Sequence, residues 1–142
     1  MSETGLPVFD ETLQLTHTWL NEISETIGPD VQQQYHALRS VLFALRDRLT
    51  VEEAFHLSAQ LPMLVRGFYW ESYRPVHKPE RFRSRQEFLE KVSETLDPAT
   101  PVNPEEAARA VFAVLTKNVP EGELEHVRHM LPEEVRTLFP QG

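Results

Sequence analysis

Residues 49–62 read Leu-Thr-Val-Glu-Glu-Ala-Phe-His-Leu-Ser-Ala-Gln-Leu-Pro, and residues 119–132 read Val-Pro-Glu-Gly-Glu-Leu-Glu-His-Val-Arg-His-Met-Leu-Pro. Both stretches carry Glu and His three residues apart and end in Leu-Pro. They lie within a longer match, because residues 37–66 and 107–136 are identical at ten of thirty positions. Unrelated segments of ordinary composition share roughly two. We therefore interpret the chain as an internal duplication.

Each half carries the apolar spacing of amphipathic helices. Trp19, Ile23 and Ile27 repeat every four residues in the first half, and the second half repeats this pattern from Phe88, which is typical of one helix face. The Leu-Pro pairs predict a kink followed by a short fourth helix in each half, because proline cannot continue a helix. No segment shows the alternation of a half-buried strand. The expected short helices cover residues 62–70 and 132–139.

The predicted fold is therefore all-α: a helical bundle built from an internal duplication of a three- to four-helix unit. Units of this size cannot bury their apolar faces alone, so the halves should pack together with approximate two-fold symmetry. The predicted organisation is a single helical domain, residues 1–142, made of repeat 1 (9–70), a basic linker (71–85) and repeat 2 (86–140).

The composition is that of an acidic globular protein. The chain has 142 residues, with 14 Lys and Arg against 22 Asp and Glu, a net charge of −8 and no Cys. The absence of Cys excludes disulfides and thiolate metal sites, and the acidic balance disfavours nucleic acid as a partner. No apolar run approaches ~18 residues, and the N-terminus lacks a signal-peptide pattern. We expect a cytoplasmic protein that does not bind a membrane, and the sequence identifies no small-molecule ligand.

The linker is where the two halves differ most. Residues 71–85 carry five basic and two acidic side chains, a net charge of +3 between two acidic halves. Aromatic and Arg side chains are typical anchors of protein interfaces, so this edge predicts binding of a protein partner or self-association. The alternative is that the aromatics pack across the two halves while the charges keep the linker solvated. The predicted partner-binding residues are Phe68, Tyr69, Trp70, Tyr73 and Arg74.

The duplicated Glu-x-x-His pairs suggest a metal site as the alternative function. Glu and His at positions i and i+3 lie on one helix face, and two such pairs with two further Glu residues form dinuclear iron or manganese sites. Iron, manganese or zinc would then be the cofactor; otherwise none is expected. Against a metal, Glu53 has capping-box spacing from Thr50 and so has a helix-start role. The candidate ligands are Glu25, Glu53, His56, Glu94, Glu123 and His126.

Catalytic motifs are scarce, so the sequence favours a non-enzymatic protein. No Ser lies in a Gly-x-Ser-x-Gly context, and five glycines are too few and too scattered for a phosphate-binding loop. Two arginines recur at equivalent positions of the two halves, Arg39 with Arg109 and Arg66 with Arg136. They either form two equivalent anion-binding sites, or their stems cover the edge of the core while their charged groups pair with acids that also recur in both halves.

The chain also resembles a known family, the bacterial domain of unknown function 2267. The resemblance covers roughly residues 10–140. It implies an all-helical bacterial protein without an established activity, and it supplies no catalytic residues. The segments that carry it are Ala37–Leu42, Leu49–Ala54, Gln60–Trp70 and Tyr73–Pro75, with Ala108–Phe112 and Met130–Pro132 in the second half.

Overall fold

The computed structural model describes residues 2–141, so positions 1 and 142 of the predicted single domain lie outside the described residues. Within this range the chain forms eight α-helices and no β-strand, which confirms the all-α prediction. None of these helices is both long and apolar enough to cross a membrane; the cytoplasmic location stays a prediction. The helices are α1 (Pro7–Ile27), α2 (Val31–Arg48), α3 (Val51–Ser58), α4 (Met63–Tyr69), α5 (Arg85–Thr95), α6 (Pro104–Asn118), α7 (Glu121–Met130) and α8 (Glu133–Arg136).

Four helices begin at side-chain caps. In each case an oxygen of the capping side chain accepts a hydrogen bond from a backbone N–H of the first helical turn, which satisfies a group that the helix itself leaves unpaired. At α5 the cap is a complete capping box with Glu87. Helices α4 and α8 instead follow prolines, as the Leu-Pro pairs predict. The capping residues are Asp30 of α2, Thr50 of α3, Ser84 of α5 and Asn103 of α6.

Three pairs of equivalent helix boundaries in the two halves lie 70 residues apart. Helices α2 and α6 end at residues 48 and 118, α3 and α7 begin at 51 and 121, and α4 and α8 begin at 63 and 133. The last helix is shorter than the predicted 132–139 because its end tightens: Leu138 and Phe139 donate to carbonyls only three residues earlier. Such bonds form a tighter turn than the α-helix.

The two halves interlock. Helix α1 packs against α6, α2 packs against both α5 and α6, and α3 packs against α7. One hydrophobic cluster draws buried residues from both halves. In the second half of the chain, the ring centroids of Phe88 and Phe112 are 5.7 Å apart, and the ring of Phe112 stacks on that of Phe139 with 4.1 Å between centroids. Each half therefore completes the core of the other.

The linker between α4 and α5 contains no helix, as its prolines predict, yet it is tied to the body. The N–H of Glu80 donates to the carbonyl of Asp47 (2.8 Å), and Nζ of Lys91 lies 2.9 Å from the Glu80 carboxylate. Burial raises the pKa of Glu80, but the hydrogen bonds and charges of Lys91 and then Lys78 together outweigh it and lower that pKa overall. Arg48 donates to the carbonyl of the buried Phe82 (3.1 Å). The basic linker is thus an anchored segment.

Candidate functional site

Glu53 of α3 and Glu123 of α7 meet where these two helices pack together. Glu53 is only 5% exposed. Glu53, His56 and Glu123 each offer one ligand atom, and these atoms lie within 4.8 Å of one another. Oε2 of each glutamate is buried and has no hydrogen-bond partner among residues 2–141. Three of the six predicted metal ligands therefore form one group.

The electrostatics of this group oppose ionisation of Glu53. Burial first, then the adjacent Glu123 carboxyl and, to a smaller extent, Glu52 together raise the pKa of Glu53 from its usual 4.5 to about 8. Two neighbouring carboxyl groups do not both ionise readily, because like charges repel strongly where water is excluded. The pair therefore requires either a retained proton or a cation.

His56 lies at the solvent side of the group. Its Nδ1 is 4.0 Å from Oε1 of Glu53, and its Nε2 is 4.0 Å from Oε1 of Glu52, while 56% of its side chain is exposed. The predicted cap is half present: the hydroxyl of Thr50 accepts from the N–H of Glu53 (3.1 Å), but in the described chain the Glu53 carboxyl accepts no reciprocal bond from the N–H of Thr50. That carboxyl lies toward Glu123 instead.

The other three predicted ligands lie outside this group. Glu25 and His126 are exposed. Glu94 is exposed as well and pairs with Lys91, whose Nζ lies 3.6 Å from its carboxylate. The described residues therefore do not bring together the two Glu-x-x-His pairs and two extra Glu residues of a dinuclear carboxylate site.

The predicted partner-binding edge is partly built into the core. Tyr69 is fully buried, its hydroxyl donates to the carbonyl of Ala54 (2.8 Å), and burial raises the pKa of this hydroxyl. The half-buried Trp70 packs against Phe55 at 4.7 Å and Tyr73 at 5.0 Å between ring centroids. The ring of Tyr69 is a further neighbour of Trp70. The aromatics therefore pack, as the alternative expected, but these contacts lie within the first half and the start of the linker and do not cross between the two halves.

Arg46 holds the turn that carries these aromatics. Its guanidinium is almost fully buried and donates from Nη1 to the carbonyls of Tyr69 (2.7 Å) and Glu71 (2.8 Å). The same guanidinium lies 5.1 Å from the ring centroid of Tyr73, a favourable cation–π geometry. Of the predicted edge, Arg74 remains exposed.

The repeated arginines serve the fold. Nε of Arg66 donates to the carbonyl of Ser58 (2.9 Å) and Nε of Arg136 donates to the carbonyl of Leu131 (3.1 Å). Each therefore satisfies a carbonyl at the end of the preceding helix. The other two arginines pair with acids, but not with acids that recur in both halves, which the second alternative expected: Arg39 pairs with Glu71 (3.7 Å) and Arg109 with Glu105 of its own helix (3.1 Å).

An apolar groove lies between α1 and α4, and the sequence did not predict it. Its volume is about 890 Å³. Tyr35 of α2 also lines it, with its ring edge-on to Phe68 at 5.5 Å, so one residue of the predicted edge belongs to this groove. The main apolar side chains along its walls are Phe9, Leu13 and Leu20 of α1, and Met63, Leu64 and Phe68 of α4.

All described residues that line the groove lie in the first half of the chain. Met63 and Leu64 are the first two residues of α4 and expose 42% and 43% of their surfaces. The first two residues of α8 are Glu133 and Glu134. Helix α1 has 21 residues and α5 has 11, and the extra turns of α1 carry Phe9, which is 46% exposed.

Acidic side chains lie on the helix that forms one wall of the groove, and one acid lines the groove itself. Helix α1 carries four acids, at positions 10, 11, 22 and 25, and no Lys or Arg. Glu71 also lines the groove. No Lys or Arg is among the described residues that line the groove, although Glu71 pairs with Arg39 (3.7 Å) and Glu22 of α1 contacts Lys117 of α6 (3.8 Å).

The helices and their packing define an all-α protein made of two interlocked sets of four helices. The chain belongs to the family described as Uncharacterized conserved protein (DUF2267), whose profile matches residues 16–138. This match confirms the resemblance carried by the Gln-Leu-Pro and aromatic segments. No curated protein matches the chain. Because the family description names no activity, a function has to be inferred from the geometry.

Proposed function

We propose that this protein is a non-enzymatic binding module whose groove between α1 and α4 holds a basic amphipathic helix of a partner protein. The observation that carries the proposal is the pair Met63 and Leu64, which is apolar and exposed where α8 has Glu133 and Glu134. Because α8 begins with two acids after the same Leu-Pro, the fold does not require apolar residues at these positions. Their exposure is therefore better explained by a ligand.

The shape of the groove suits a helix. Amphipathic helices bind by laying apolar side chains at helical spacing into grooves of this kind. A groove of about 890 Å³ can take several such side chains, and each fully buried one contributes roughly 1.5–3 kcal/mol. Phe9 and Phe68 supply aromatic surface at the walls, and aromatic residues are enriched at the centres of interfaces.

The charge around the groove selects the partner. The described residues that line the groove include Glu71 and no Lys or Arg, which favours a helix that carries Lys or Arg beside its apolar face. Symmetric self-association would bring the same acidic helix of two copies together, because a two-fold interface uses the same patch twice. An anionic membrane surface would likewise be repelled. Charge thus favours a basic protein segment over both alternatives.

The predicted edge Phe68–Arg74 enters this proposal in part. Phe68 lines the groove and remains a partner-binding residue. Tyr69 is fully buried beneath the surface, so its contribution is to hold α4 in place. The binding surface that we propose therefore extends from Phe68 toward α1 and not along the linker.

We also propose that the two halves arose by duplication and are related by an approximate two-fold axis. Helix boundaries separated by 70 residues support this, as do reciprocal contacts: α1 packs on α6 while α2 packs on α5, and α3 packs on its counterpart α7. On this interpretation the groove is where the first half has diverged from the second.

Selection from a displayed peptide library tests the proposed partner class. Random peptides of about 18 residues, roughly five helical turns, are selected against the wild-type protein. The proposal expects enriched peptides with apolar residues at i, i+3 or i+4 and i+7, and with a net positive charge. The proposal is wrong if the enriched peptides are acidic or lack helical spacing, or if no peptide is enriched.

A double variant ties that binding to the groove. Met63→Glu with Leu64→Glu copies the start of α8 and should weaken the selected peptides at least ~30-fold, since one lost apolar anchor costs roughly 2 kcal/mol. The matched control, Ala99→Glu with Ala113→Glu, adds the same charge at exposed sites of the second half and should bind normally. Equal binding by all three proteins would exclude the groove.

Metal binding is the second candidate function, and one observation favours it. Glu53, His56 and Glu123 meet at the contact of α3 and α7, although the dinuclear arrangement expected from the sequence would also need Glu25, Glu94 and His126. A narrower site is therefore the form of this function that fits the geometry.

A further inference from the structure

We propose that Glu53, His56 and Glu123 form a mononuclear metal site between α3 and α7. The site would bind a divalent transition-metal ion such as Zn²⁺ or Mn²⁺. The inference rests on the second candidate function and is independent of the groove. It joins a Glu-x-x-His pair from one half to a single Glu from the other. Neither the sequence repeat nor the family description assigns this three-residue set.

The geometry of the three donors suits one ion. Their ligand atoms lie within 4.8 Å of one another. Zinc binds imidazole nitrogen and carboxylate oxygen at about 2.0–2.2 Å in a tetrahedral arrangement, so donors around one ion stand about 3.3–3.6 Å apart. Side-chain rotations that bring the donors closer by up to about 1.5 Å would close the set around a cation. Glu53 and His56 lie three residues apart on α3, which places both on one helix face.

Buried, unpartnered oxygen atoms are the second observation. Glu53 is more than nine-tenths buried, and its Oε2 has no hydrogen-bond partner in the part of the chain that the structure describes; the same holds for the buried Oε2 of Glu123. A buried polar atom without a partner is costly. A divalent cation between the two carboxylates would coordinate these oxygens and balance both charges.

The surroundings of His56 complete the donor set. Its Nδ1 faces Glu53 and its Nε2 lies 4.0 Å from Glu52. Histidine ligands commonly give their second ring N–H to a carboxylate, which fixes the tautomer and the ring orientation. Because 56% of the His56 side chain is exposed, an ion can enter from solvent. Nitrogen and carboxylate donors suit zinc and manganese, and three protein ligands leave room for water.

Zinc titration of metal-free protein, purified without an affinity tag, tests the site. Competition with a chromophoric zinc chelator gives stoichiometry and affinity. We expect one equivalent of Zn²⁺, bound at least ten-fold more weakly by His56→Ala and by Glu123→Gln. The matched control is His126→Ala, which removes the corresponding exposed histidine of α7 and should bind as the wild type does. Circular dichroism confirms that each variant is folded.

Several outcomes would overturn the site. These are no zinc binding tighter than ~100 μM, two equivalents with equal affinity, or equal loss in His56→Ala and His126→Ala. Because His56 is exposed, its variant reports on binding even where Glu123→Gln fails to fold. Peptide binding by His56→Ala and zinc binding by Met63→Glu/Leu64→Glu should both be normal, so failure of one function is distinguishable from failure of the other.

Discussion

Replacing Glu53 by Gln should stabilise the metal-free protein, and the gain should grow as the pH rises. The Glu53 carboxyl is buried beside that of Glu123, and burial first, then this neighbour, raises its pKa to about 8. The unfolded chain exposes the same carboxyl to water, where its pKa is the usual 4.5. Gln keeps the shape of the side chain but cannot ionise.

The sign and size of the effect follow from the two pKa values of Glu53. Below about pH 4.5 the carboxyl is protonated in both states, and the stability it contributes is fully present. As the pH rises, the unfolded chain loses the proton first, so stability falls until the folded state also ionises near pH 8. At about 1.4 kcal/mol per pKa unit, the loss is at most about 5 kcal/mol. Glu53→Gln should not show this loss.

Guanidinium unfolding followed by circular dichroism measures this directly. The wild type and Glu53→Gln are compared at pH 5 and pH 8.5, with EDTA present to remove divalent metal ions. The difference in unfolding free energy between the two proteins should be larger at pH 8.5 than at pH 5 by several kcal/mol. The matched control is Glu52→Gln, one residue earlier on α3, where 84% of the side chain is exposed.

That control should follow the wild-type pH dependence within about 0.5 kcal/mol, as surface substitutions usually do. If the difference in unfolding free energy between the wild type and Glu53→Gln is the same at both pH values, Glu53 does not carry a buried carboxyl with a raised pKa. The same conclusion would follow from a wild-type protein that is more stable at pH 8.5 than at pH 5, provided that Glu53→Gln does not share this trend.

Three further substitutions test the packing. Tyr69→Phe should cost about 1–3 kcal/mol in chemical unfolding, because the buried carbonyl of Ala54 loses its donor. Arg46→Ala should cost more, about 3–5 kcal/mol, because two carbonyls lose a buried charged donor; a loss under 1 kcal/mol would contradict its role in the turn. Met63→Glu with Leu64→Glu should change the unfolding free energy by only about 0.5 kcal/mol, measured in the same way; a cost above 2 kcal/mol would mean that these residues serve the fold.

The helical elements could be predicted because their signals are local. Apolar spacing, the cap at Thr50 and the proline at 62 each act within a turn or two of helix, and the structure has the corresponding boundaries. The shortened end of α8 is harder to predict. Its last backbone hydrogen bonds join residues three apart instead of four, and this difference leaves little trace in the sequence. The carbonyl of the buried Tyr69 accepts from Arg46, which lies 23 residues earlier, and such a contact between distant residues leaves no local signal in the sequence.

The candidate sites depend on which helices are neighbours, and the sequence shows this only in part. The repeat pointed to Glu53 and Glu123 together, and α3 does pack on α7. It also pointed to Glu25, which is exposed on α1, because spacing shows a shared face but not what that face meets. The groove was missed since it arises from contact between α1 and α4. Comparing Met63 with Glu133 across the repeat could have revealed it.

Mapping a bound peptide onto the protein tests the proposed groove most directly. Backbone amide resonances of the ¹⁵N-labelled protein are followed by NMR while a selected basic peptide is added. The proposal predicts saturable shifts concentrated on α1 and α4, with the largest near Phe9, Leu64 and Phe68, and none in Met63→Glu/Leu64→Glu. Shifts concentrated in the segment between α4 and α5 (residues 70–84) would contradict the proposal. So would shifts in Met63→Glu/Leu64→Glu that equal those of the wild type.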